Sequence, residues 1–420
     1  MQARREKELD FAEIVQRPGK PTFAIVRGID AGQVAKTELL PAAEHAELER
    51  KFHEYRHKAL IEAGRMEEVK LATLEADGHS YQSYGGSWFT LLSTADEEST
   101  RRCVVRMEQI FRAYRTLLPP RQKEKQELTI YLYSSLDEYR QRLRGLDLNL
   151  NAPAIYSARH HQILAGGELA HYAVRLAEVR REMADLEKRY DKLDKEFATS
   201  LARLSDDLRA KGFGKDEITD ELQLRKTDWK NEKAAVMARV HEQDRRNLAR
   251  FSEVTREMFA RLYHESFHAY LDSYVYPQTT HHVPAWLHEG LAQVFEGGQL
   301  EGDSLRIDAP DRERLQLLLA DLNSGDPLPL ARLLVAEEQT FAGDHGGRAS
   351  ERHYLYAWGL SYYLVTERNL LGSKDLDEFV SPQSANLSPT ARLEKLVHQP
   401  LGKFEAQWRE KLQKLAAPGK

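Results

Sequence analysis

The longest regular pattern of apolar positions in the chain is a seam. Leu169, Tyr172, Leu176, Val179, Met183, Leu186, Tyr190, Leu193 and Phe197 alternate spacings of three and four over four heptads, the a/d repeat of a coiled coil. Leu201, Leu204 and Leu208 resume it after one additional four-residue step, a stutter that locally unwinds a supercoil. Lys211-Gly-Phe-Gly-Lys-Asp216 reads as a turn with a new helix start, and Leu222, Trp229, Val236 and Val240 mark a helix running back. Residues 168–250 are therefore expected to form an antiparallel coiled-coil hairpin. No Gly or Pro occurs from Lys215 to Tyr276, so the returning helix is expected to run on, kinked near Arg250, past residue 264.

Elsewhere the period changes. Residues 1–83 carry β-like runs at Phe11–Val15, Pro21–Arg27 and Val69–Glu75, a polar helical stretch from Pro41 to Ala63, and turns at Pro18-Gly19 and Asp77-Gly78; they read as a separate small α+β module. From Tyr84 strands and helices alternate. Ser87–Leu92 is a strand, Ser93-Thr-Ala-Asp-Glu-Glu98 caps a helix that Pro119-Pro120 stops, and Leu128–Tyr133 is a second strand. Ser135 caps a short helix, and Ala154–Tyr156 pairs with Gln162–Ala165. Beyond residue 250 the chain is helical, with a Leu-rich face at 311–323, an apolar run at Tyr354–Val365 and an amphipathic end at 404–412. The expected class is α+β: a mostly helical domain with a small mixed sheet, residues 84–167 and 251–420, interrupted by the hairpin.

Composition narrows the functional classes. The chain is 41% hydrophobic and 30% charged with a formal net charge of −5, and the surplus charge lies in the hairpin. No segment gathers Lys and Arg on one face without matching acids, which argues against nucleic acid as a partner. No apolar run reaches the length of a membrane span, and Met1–Asp10 lacks the apolar core of a secretory leader. Read as it stands, the sequence is cytoplasmic; read as a chain whose leader has been cleaved, it is exported or periplasmic. Cys103 is alone, so no intrachain disulfide forms, and it reads as a small core residue.

The candidate chemistry lies in Arg261-Leu-Tyr-His264-Glu265-Ser-Phe-His268. Residues four apart share a helix face, so His264 and His268 can offer two imidazole nitrogens to one metal ion. Glu265 lies beside them, where a general base for a metal-bound water belongs. A catalytic zinc needs one more protein ligand and an open fourth position. Glu289, separated from His268 by 20 residues, is the best candidate: Pro284 suits the first turn of a helix and Gly297-Gly298 ends it. Ala285, Gly290 and Ala292 are expected to keep this helix close to the first. His281, His282 and His288 read as loop or rim histidines without ligand duty.

His264-Glu-Ser-Phe-His268 together with Pro284-Ala-Trp-Leu-His-Glu-Gly-Leu-Ala292 resembles the gluzincin metallopeptidases of the peptidase MA clan, and a bacterial branch of it carrying P-x-W-L-x-E-G-L-A in particular. The likeness covers roughly residues 84–167 and 251–416 and leaves out 1–83 and the hairpin. It implies a zincin-like fold, Zn2+ bound by His264, His268 and Glu289, and Glu265 as base and proton shuttle in peptide hydrolysis. Tyr356 is the candidate donor to the oxyanion, and Gln162–Gly167 the strand that aligns a peptide substrate, its glycines admitting another backbone. The sequence departs from better-studied gluzincins four residues after Glu289, where many place an acid or another polar partner that orients a ligand histidine and this chain has Gln293, which can still bond an imidazole N–H. A catalytically inactive scaffold that recruits a protein partner through the hairpin, and a zinc amidase acting on cell-wall-type amides, are the competing readings.

Overall fold

The computed structural model describes residues 4–416 with the exception of 6–7, 16–22, 31, 33, 35, 37–40, 77, 123–126, 147, 149–151, 168, 302–303, 308–309 and 342–347. It is α+β, mostly helical with a small mixed sheet. Two compact units divide the chain: Glu168–Arg256 form one, and Met1–Gly167 with Glu257–Lys420 form the other.

The discontinuous unit begins with β1 (Arg4–Arg5), β2 (Glu8–Val15) and β3 (Phe23–Asp30), an antiparallel three-stranded sheet, followed by α1 (Ala42–Glu68). The turn expected at Pro18-Gly19 lies outside the described residues. The main sheet comprises β4 (Ala72–Ala76), β5 (His79–Gly85), β6 (Thr90–Ser93), β7 (Thr129–Tyr133), β8 (Ala154–Ser157) and β9 (Gln162–Gly166), in the order β4-β5-β6-β7-β9-β8. The β6–β7 and β7–β9 pairs are parallel and the others antiparallel. The expected module boundary at residue 83 therefore fails, because it cuts through β5, whose Gln82–Gly85 is registered against Ser93–Thr90 of β6. A strand reading His-Ser-Tyr-Gln-Ser-Tyr-Gly offers one fully buried ring, Tyr81, and little apolar alternation to announce itself.

The crossovers are helices with polar caps. In α2 (Glu97–Leu117), Asp96 accepts from Ser99 N–H at 3.0 Å; in α3 (Leu136–Gly145), Ser135 accepts from Glu138 N–H at 3.2 Å. Tyr114 of α2 is fully buried and donates its hydroxyl to the Tyr263 carbonyl at 2.7 Å. Its ring meets Phe267 edge-on at 5.5 Å, which seats the histidine-bearing helix on α2.

The second unit is the hairpin of α4 (Leu169–Ala210) and α5 (Lys215–Val254). Gly212 supplies the turn at φ +85°, and Glu217 caps Gly214 N–H at 2.8 Å. Met183, Leu186, Tyr190, Leu193, Phe197, Leu201, Leu204 and Leu208 are half-buried along the seam. Tyr190 and Phe197 stack on Trp229 at 5.9 and 5.1 Å, and Asp194 accepts from the Trp229 indole and pairs with Lys233. The side chains of Tyr172, Leu176 and Val240 lie outside the described residues. The helix expected to run on past residue 264 with a kink near Arg250 instead stops at Val254. Thr255 N–H closes the last helical bond to the Phe251 carbonyl at 3.0 Å, and its hydroxyl bonds the same carbonyl at 2.6 Å, a side-chain bond that bends a helix without Gly or Pro.

The chain resumes as α6 (Arg256–Tyr270), which ends in a π-helical turn, Leu271–Val275, and is followed by α7 (Ala285–Glu296). Next come a ribbon of β10 (Gln299–Glu301) and β11 (Ser304–Arg306), then α8 (Arg312–Leu322), α9 (Leu330–Leu334), α10 (Glu338–Phe341), α11 (Arg348–Thr366), α12 (Lys374–Phe379), α13 (Pro389–Val397) and α14 (Leu401–Ala416). Gly290 closes α7 on α11 rather than on α6: a Cβ there would lie 2.3 Å from the Ala357 carbonyl oxygen and 2.2 Å from Ser361 Oγ. The α6–α7 contact is made by large rings, Phe267 and Phe295 stacking at 4.3 Å. No helix among the described residues is long and apolar enough to cross a membrane.

Candidate metal centre

His264 and His268 stand one turn apart on α6 and point at the start of α7, where Glu289 meets them. One ligand atom from each of the three lies within 4.8 Å of the others, a group able to hold a metal ion. His264 Nε2 is 3.3 Å from Glu289 Oε2, and His268 Nε2 is 3.5 Å from Glu289 Oε1. His264 Nε2 and Glu289 Oε2 are buried without an aligned hydrogen-bond partner among the described residues. Two buried polar atoms turned towards one point without bonding are costly unless a cation satisfies them. Around this point the Glu265, Glu289 and Glu296 carboxylates interact with Arg261, and Glu296 also pairs with Arg314. The donor set fits a divalent ion.

The rear of each ligand is held differently. His264 Nδ1 is 3.0 Å from Glu296 Oε2, and Glu296 Oε1 is in turn 3.1 Å from Arg314. No sequence motif marks this acid. It is seven residues after Glu289, two turns along α7 and on the same face, while Gln293, at the position expected to supply the partner, donates to the Glu289 and Tyr354 carbonyls at 3.4 and 3.3 Å. His268 instead has its ring face against His288, the centroids 4.0 Å apart and the planes at 16°.

Glu265 is buried beside the ligands. Its Oε1 is 2.6 Å from Arg261 Nη2, one turn back on α6, and its Oε2 accepts from Tyr156 N–H at 2.8 Å. The donation follows from strand parity. Gly166 N–H bonds the Pro153 carbonyl across the β8–β9 ladder at 3.0 Å, so Ala154 and Tyr156 direct their backbone groups away from β9. Tyr156 also donates its phenol to Asp272 Oδ2 in the π-helical turn, at 3.0 Å. The edge of the sheet is thus β8. Gln162–Gly167, expected to be the substrate strand, is interior β9, and its Gly166 is required because a Cβ would lie 2.4 Å from Tyr139 Cβ.

The electrostatics follow from this packing. Burial pushes the Glu265 carboxyl above its usual range, while Arg261, His264 and the Tyr156 N–H hold it back. Burial and Arg261 press His264 down, yet the Glu289 and Glu296 carboxylates outweigh them and hold its imidazole up to about 9. His268 is held well below the ordinary histidine range by burial and by the neighbouring His288, His264 and Arg261. Despite burial, His264, Arg314 and Arg261 bring Glu296 down to about 2.

The structure brings His264, Glu265, His268 and Glu289 together and leaves Tyr356 elsewhere. Tyr356 is fully buried, donates to Asp321 Oδ2 at 2.7 Å and accepts from Leu328 N–H at 3.1 Å. Tyr354, two residues earlier, is the tyrosine of α11 that interacts electrostatically with Glu289, Arg261, Glu265 and Glu296; its hydroxyl donates to the Phe341 carbonyl. His281 contacts Thr280 and the Tyr276 ring, and His282 N–H bonds the Val380 carbonyl.

Residues 258–382 match a family model described as "Protein of unknown function (DUF1570)", a span that contains every side chain of the metal group. No curated protein and no solved structure matches the chain.

Proposed function

We propose that the chain is a zinc-dependent peptidase of gluzincin type, with a zincin-like catalytic domain. The observation that carries this reading is the convergence of His264, His268 and Glu289 beside a separately held carboxylate, Glu265. When bound, zinc supplies Lewis acidity to a substrate carbonyl and lowers the pKa of water towards neutrality. His264 and His268 would hold the ion through Nε2 and Glu289 through a carboxylate oxygen. Glu296 fixes the tautomer of His264 by accepting from its Nδ1–H.

Glu265 is the proton carrier. Arg261 and the Tyr156 N–H occupy one acceptor site on each of its oxygens, and a carboxylate has about four such sites, so it is fixed in orientation without being used up. A carboxyl raised by burial is a better base near neutrality than an exposed one. Glu265 accepts the proton of the attacking water and releases it to the departing amine nitrogen. The outward Tyr156 N–H of β8 is given to Glu265, so a peptide lying along that edge is aligned by the outward carbonyls of Ala154 and Tyr156. A base held this way has no purpose in a purely structural metal site, which favours catalysis over the scaffold reading.

The test pairs zinc analysis with cleavage of a peptide library. Glu265→Gln is expected to keep stoichiometric zinc and lose activity by at least about 100-fold, and Glu289→Ala to lose most of its zinc. Cleavage that survives in Glu265→Gln, or in native protein stripped by a chelator, would rule the mechanism out.

A further inference from the structure

We infer that His288 is a positioning residue for His268, doing by ring stacking what Glu296 does for His264 by hydrogen bonding. The inference rests on the reading of this site as a metal centre and adds a residue to it. The second side-chain torsion of histidine is broad and weakly preferred, so a ligating imidazole needs an external restraint, normally an acceptor for its other ring nitrogen. His264 has one, at 3.0 Å. His268 Nδ1 is buried and meets no hydrogen-bond partner among the described residues.

What His268 has instead are two rings. His288 lies parallel to it, 4.0 Å away at 16°, and His264 meets it edge-on, 4.7 Å away at 82°. A parallel neighbour resists tilting of the ring and so keeps Nε2 aimed at the point it shares with Glu289. His288 directly precedes Glu289, and α7 is fixed against α11 by the close approach at Gly290. One helix therefore carries a ligand, the plane that restrains the second ligand and the acid that orients the third.

The test is zinc affinity, measured by competition with a chromophoric chelator, together with the visible spectrum of the protein loaded with Co2+. His288→Ala is expected to bind zinc at least about tenfold more weakly and to shift the Co2+ bands, whereas His288→Phe, which keeps the plane and loses both nitrogens, stays within about threefold of native with native bands. If the alanine variant does not fold, His288→Leu replaces it, with volume but no plane and the same expected loss. Native affinity in the alanine or leucine variant overturns the inference, as does a phenylalanine variant as weak as alanine. Native protein that binds neither Zn2+ nor Co2+ overturns the metal reading itself, and the inference with it. If native protein binds, His264→Ala does not and His288→Ala binds normally, the positioning role alone falls.

Discussion

Glu296 shows how a residue two turns away completes a site. Glu296→Ala is expected to weaken zinc binding about 10- to 100-fold while the protein still folds, measured by the same chelator competition. It also shapes the pH dependence. In the metal-free chain His264 is held up to about 9 against an ordinary value of 6.5, so it carries a proton at neutral pH that an arriving cation displaces. Apparent zinc affinity should therefore rise with pH, up to about tenfold per unit, and flatten above about 9. Titration calorimetry in buffers of different ionisation enthalpy will count the released proton. Tyr356 gives the contrasting case: Tyr356→Phe strips a hydrogen bond from Asp321 and leaves Leu328 N–H unpaired, at a cost of about 1–3 kcal/mol by chemical denaturation, with kcat unchanged. The histidine pair and Glu265 were legible because a four-residue spacing is a chemical signature. Glu296 was not, since an acid seven residues on looks like any solvated helix position. Tyr354 and Tyr356 differ by about 200° around α11, and only the packing of that helix decides which one faces the acids.

Among the elements, α7 is the most constrained. Gly290→Ala would gain about 1 kcal/mol of helix propensity, but its Cβ meets the Ala357 carbonyl at 2.3 Å, and backbone cannot step aside as a side-chain tip can. Overpacking of this kind costs about 1–3 kcal/mol; net destabilisation with reduced zinc retention is expected in denaturant titrations of the loaded protein. Elements with an apolar period, β6, β7, β9, α2 and the hairpin helices, could be read from sequence. β5 and the Thr255 break could not, the one because its strand is polar, the other because a hydroxyl bond to a carbonyl leaves no mark in composition. Edge and interior strands differ in pairing rather than in residue type, so β9 was mistaken for the outer strand.

In the whole molecule, the insert and its host form two compact units. Replacing Glu168–Arg256 with a short Gly-Ser linker is expected to leave one zinc per chain and a cooperative melt; loss of both would show that the hairpin belongs to the folding unit of the metal site. The hairpin was legible in outline because its seam is long, and its true end at Arg256 rather than 250 rests on the Thr255 turn. The ligands themselves sit on two helices separated by a 20-residue connection between His268 and Glu289. An ion shared between them is a reversible cross-link, closing that loop in the folded chain and not in the unfolded one. On the proposed reading its occupancy would set the melting temperature: with the free ion at about 100 times its dissociation constant the chain would be about 2.7 kcal/mol more stable than after chelation, so metal supply would govern how long the protein survives.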